Sequence, residues 1–74
     1  MIITTEQLKA IVGAGGGVIL DATTMTFNQM REVSIAAQSG NARITIRKVG
    51  GLTAAQLTEI ATLAPGLVWF DLTA

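Results

Sequence analysis

At 74 residues, with no Cys or His, the chain is short enough for one domain and lacks the thiolates, disulfides, usual zinc ligands and commonest general base. Only 14% of residues are charged, against a typical quarter, while 50% are apolar and the formal net charge is zero. There is too little polar material to cover the outside, so some apolar surface is expected to stay exposed or to meet a partner. No apolar run approaches the roughly 20 residues of a membrane span, and Thr4, Thr5 and Glu6 stand where a signal peptide is apolar, so a cytoplasmic protein without a membrane partner is expected.

Met1 to Ile3 is a short apolar lead. From Ile3 onward one pattern recurs three times: apolar, Thr, any, any, Gln, Leu or Met, any, any, Ile or Val. It occupies 3–11, 25–33 and 52–60. Thr4, Thr26 and Thr53 are then N-caps, and Gln7, Gln29 and Gln56 at N3 reach back to them, which is a capping box. Ile3 with Leu8, Met25 with Met30 and Leu52 with Leu57 supply the hydrophobic staple of each helix start.

The first helix turns Leu8, Ile11 and Val12 to one face and stops in the glycines of 13–17. Val18 to Asp21 reads as a strand from its β-branched content. The second helix carries Phe27, Met30, Val33 and Ala37 at core spacing, with Ile35 off that stripe. It is one turn longer than the first and ends near Gly40, the expected C′ residue. Ala42 to Arg47 alternates, with Ile44 and Ile46 on one face, and Gly50-Gly51 turns the chain into the third cap. The third helix buries Leu57, Ile60, Ala61 and Ala64, and Pro65-Gly66 ends it before a last strand, Leu67 to Leu72.

Short helix-strand returns imply parallel strands, and right-handed crossovers put all helices on one face. The expected fold is α/β: one domain over 1–74, made of three solenoid-like repeats at 3–24, 25–51 and 52–74, with a parallel three-stranded sheet. Aligning the strands sets Val18, Ile44 and Val68 side by side, then Leu20, Ile46 and Phe70, all toward the helices. Ile19, Thr45 and Trp69 form a row on the opposite face. Asp21, Arg47 and Asp71 form the next row, an acid-base-acid line that pins register.

Several chemistries are opposed by spacing. Gly13-x-Gly15 is followed by Val18 where a dinucleotide fingerprint has its third glycine, no Lys-Ser or Lys-Thr follows, and the cluster leaves a helix rather than entering one. Asp21 and Asp71, two strands apart, lie roughly 10 Å from each other with Arg47 between, too far for shared acid-base work, and no third metal ligand stands near. Residues 26–51 carry Arg31, Arg43, Arg47 and Lys48 against Glu32, a net +3 flanked by −1 and −2 segments. Nucleic acid is disfavoured, because no second aromatic joins Trp69 as a stacking platform and acidic segments flank the base.

Val18 to Phe27, followed by a helix and a strand, resembles the anti-sigma-factor antagonist domains, whose apolar strand leads into a phosphorylatable Ser at a helix start. Asn28 and Gln29 stand at that place here, so the resemblance implies no phosphoswitch for this chain. The expected function is a non-enzymatic interaction or self-association module without a cofactor. Its partner is itself, as a homodimer, or another protein. Interface candidates are Ile19, Thr45, Trp69, Leu67 and Arg43, on the uncovered face and strand edges. The alternative is a small anion- or ligand-binding regulatory domain using the loops after the strands, Ala22-Thr23-Thr24 and Lys48-Val49-Gly50, which lead into helix N-termini.

Overall fold

The computed structural model describes residues 3–73, so Met1 and Ile2 of the apolar lead lie outside the described residues. The chain runs α1 (Thr5–Gly13), β1 (Val18–Asp21), α2 (Phe27–Gly40), β2 (Ile44–Arg47), a short 3-10 helix (Val49–Gly51), α3 (Ala54–Leu63) and β3 (Val68–Phe70). It is a small mixed α/β domain.

Each helix opens on a complete capping box. Thr4 Oγ1 accepts from Gln7 N at 3.1 Å while Gln7 Oε1 accepts from Thr4 N at 3.0 Å. The same reciprocal pair joins Thr26 with Gln29 and Thr53 with Gln56. The three cap residues share one extended backbone conformation, with φ of −80°, −79° and −82°. Identical local chemistry therefore starts all three helices identically. Each Thr→Ala substitution should cost about 1 kcal/mol, read as a lower urea midpoint with unchanged circular dichroism, and three unchanged midpoints would contradict it.

The strands form one parallel sheet in the order β1-β2-β3. Val18, Ile44 and Val68 stand in one row, Ile19, Thr45 and Trp69 in the next, and Leu20, Ile46 and Phe70 in a third, as alternation requires. Ile44 and Ile46 on the central strand are fully buried in one core with Met30, Val33 and Ile60 of the helix layer, and on the side facing away Ile19 and Trp69 are exposed. β3 is shorter than expected, ending at Phe70, although Asp71 N still donates to Ile46 O at 2.9 Å. Leu72 is exposed.

The structure corrects three sequence expectations. Ile11, placed on the core face of α1, is 42% exposed, while Leu8 and Val12 are buried. Leu57 and Ala61 of α3 are only half-buried, leaving Ile60 as its buried residue and Ala64 buried at its C-cap. The C′ position after α2 belongs to Asn41, at φ 53° and ψ 41°, with Ala42 N donating to Ala37 O. Asn tolerates the left-handed region. Gly40 instead stays helical because α1 passes against it: a Cβ there would lie 2.3 Å from Val12 O.

Candidate functional site: the open sheet face and its edges

On the face away from the helices, Ile19 and Trp69 flank Thr45 in one row and are 72% and 57% exposed. The pleat that buries Leu20 and Ile46 forces them outward. Arg43, just before β2, lays its guanidinium 5.8 Å from the centroid of the Trp69 ring, a cation–π contact that orders the indole without covering it. The structure thus gathers Ile19, Thr45, Trp69 and Arg43. Leu67 does not join them, since it packs half-buried against the core.

Asp21 does stand opposite Arg47 in the register, but the side-chain charges divide into two pairs. Arg47 Nε lies 3.4 Å from Asp71 Oδ2, while Asp21 Oδ2 meets Lys48 Nζ at 3.7 Å. Lys48 takes a left-handed backbone conformation at φ 58°, which breaks the strand's alternation and brings its ammonium back to Asp21. Each Asp also anchors a turn by accepting from the backbone N and hydroxyl of the Thr two residues on, Thr23 and Thr73. Sequence reasoning named Thr23 only as part of a loop and missed Thr73, though Asp21-Ala22-Thr23 and Asp71-Leu72-Thr73 repeat the same turn chemistry.

Those hydrogen bonds, first from the Thr side chains and then from their backbone N–H groups, hold both carboxyls below the ordinary range, with Lys48 and Arg47 helping. A carboxyl depressed in the folded state adds stability above its unfolded pKa and loses it as pH falls through the folded value. The urea midpoint should therefore hold as pH falls toward about 4 and drop below it, and Asp21→Asn or Asp71→Asn should flatten that drop. A midpoint that falls equally in both variants and the parent would contradict this.

The loops after β1 and β2 border a shallow hollow of about 260 Å³ lined in part by Thr23, Lys48 and Gly51. Two residues bordering it already serve Asp21: Thr23 gives it both N–H and O–H, and Lys48 faces it. Thr26 likewise takes up Gln29 N at the start of α2. Among the described residues no group of three or more carboxylates could hold a metal ion.

A larger open groove, about 840 Å³, runs between α1 and the free edge of β1, with Ile3, Leu8, Ile11, Val18 and Ile19 among its walls. No helix of the described residues is long and apolar enough to cross a membrane. Compared with family models, curated proteins and solved structures, the chain shows no significant match.

Proposed function

We propose that this chain is a non-enzymatic interaction module of the cytoplasm that associates with itself, in its simplest form as a dimer, and that its three helix-strand units are solenoid-like repeats. The observation that carries the reading is the bare face of a parallel sheet. Parallel sheets are nearly always covered on both faces, and here one face leaves Ile19 and Trp69 open to water. The two edges add to the case, because β1 and β3 each have a side without a neighbour among the described residues. Another protein of similar apolar surface is the second possible partner.

Burying the exposed part of Trp69, on the order of 100 Å², is worth about 2.5 kcal/mol at 25 cal/mol per Å². Sedimentation equilibrium from low to high micromolar concentration should show a mass rising above that of the monomer, and Trp69→Ser should weaken association at least tenfold. A parent chain that stays monomeric throughout overturns the reading.

A further inference from the structure

We propose that the second copy docks head to tail: the β1 edge and α1 of one copy add to the β3 edge and α3 of the next, so that sheet and helix layer continue across the seam. This rests on the self-association reading and places the contact at the two strand edges, where Trp69 meets Ile19, rather than across the bare sheet face.

The first support is a comparison of equivalent positions, counted from the caps Thr4, Thr26 and Thr53. The seventh residue after each cap is Ile11, Val33 and Ile60; the last two are fully buried and Ile11 is not. The fourth and eighth residues, buried in α1 and α2, are only half-buried as Leu57 and Ala61 in α3. α1 therefore lacks cover on the flank that α2 and α3 turn to the preceding strand and helix, and α3 lacks it on the flank that α1 and α2 turn to the following one. The sheet repeats this contrast: Ile44 and Ile46 are fully buried, while Val68 and Phe70, at the same positions of β3, are half-buried. Each end of the molecule is missing what the other end offers. A two-fold pairing of like edges would set Ile11 against Ile11 and leave the α3 flank bare.

The strand edges match as well. Val18 N and Ala22 N donate to β2, so by alternation the N–H groups of Ile19 and Asp21 face the open side of β1. Asp71 N donates to β2 and Leu67 O accepts from it, so those of Val68 and Phe70 face the open side of β3. Adding β3 of one copy into the groove beside α1 of the next, in the register used twice within the chain, sets Val68 beside Val18 and Trp69 beside Ile19. The exposed apolar row of the open face then runs unbroken through the seam.

Charge is consistent with this. Within the chain, the fifth residue after one cap pairs with the sixth after the next: Lys9 with Glu32 at 3.7 Å and Arg31 with Glu59 at 3.5 Å. At the seam the corresponding residues are Thr58 and Ala10, so the ladder ends in a neutral contact and no unpaired charge is trapped. Asp71 would meet Asp21 of the next copy, but each already has its own cation. Such a contact is heterologous, so it need not stop at two copies.

Ile19→Pro and Val68→Pro each remove one outward N–H from an edge strand, where proline is tolerated. In sedimentation equilibrium either variant alone should remain monomeric, because every seam needs both ends. An equimolar mixture should give a 1:1 pair of twice the monomer mass that grows no further, since one intact β3 edge then meets one intact β1 edge. Two exposed positions give a second measurement without touching the core: Ala10→Glu with Thr58→Lys extends the charge ladder across the seam and should tighten association about threefold, whereas Ala10→Lys with Thr58→Lys should weaken it. If the parent chain associates but the mixture yields no pair and the two double variants behave alike, the head-to-tail arrangement is wrong and self-association stands. If the parent chain is monomeric, both are wrong.

Discussion

Gly40→Ala should lower stability by about 2 kcal/mol, and Gly40→Val should leave little folded protein. A Cβ at Gly40 would stand 2.3 Å from Val12 O, 2.6 Å from Gly13 O and 2.7 Å from Gly13 C. All three are backbone atoms at the end of α1, so no side chain can swing aside and the helix itself must move. Overpacking of this kind costs about 1–3 kcal/mol, and relief of glycine's entropy in a helix returns less than 1 kcal/mol. In a domain of this size that loss is a large share of the whole. The control is Gly13→Ala: nothing lies within 4 Å of the added carbon, so stability should stay level or rise by about 0.5 kcal/mol. Urea midpoints of the three variants decide it. A neutral Gly40→Ala would mean that α1 sits farther from α2 than described. The result bears on association too, because the seat of α1 on α2 sets the width of the groove beside β1.

Gly40 shows where sequence reasoning stopped. A glycine near the end of a helix signals C′, and nothing local distinguishes that role from a close approach by another helix; Asn41, one residue on, took the left-handed position. The caps were legible because their chemistry lies within four residues. The strand register was legible because each strand buries alternate residues against one helix layer, and a one-residue slip would have exposed Ile44 and Ile46. Lys48 was not, since its pairing with Asp21 depends on a positive φ that breaks the alternation on which the charge row was drawn.

Ile11 failed for another reason. Its spacing is that of a core residue and its sequence neighbours match those of Val33 and Ile60, so periodicity treats all three alike. Burial also depends on what lies beside the helix, and among the described residues α1 has no strand at that flank. The half-buried Leu57 and Ala61 are the same case at the opposite end. Local pattern thus marks equivalent positions as apolar in all three helices, while among the described residues only α2 packs against a helix on each side.

Ile60→Ala and Ile11→Ala remove the same atoms from equivalent positions, and their costs should differ by about 1–4 kcal/mol in dilute solution. Ile60 is fully buried on the inner side of α3, where truncation to Ala costs about 2–5 kcal/mol through lost transfer energy and an unfilled cavity. Ile11 is already 42% exposed and borders open solvent, so its truncation leaves no closed cavity and should cost about 1 kcal/mol. Urea denaturation at submicromolar protein gives both values for the isolated chain. Repeating it at high micromolar concentration separates packing from association, because a partner that binds only the folded state adds stability by mass action. Under head-to-tail docking the cost of Ile11→Ala should grow with concentration, since Ile11 is then covered in the parent and that cover is weakened in the variant. The cost of Ile60→Ala has no such direct dependence, because its cover comes from its own chain. Equal and concentration-independent costs for Ile11→Ala at both extremes would leave the α1 flank as ordinary exposed surface.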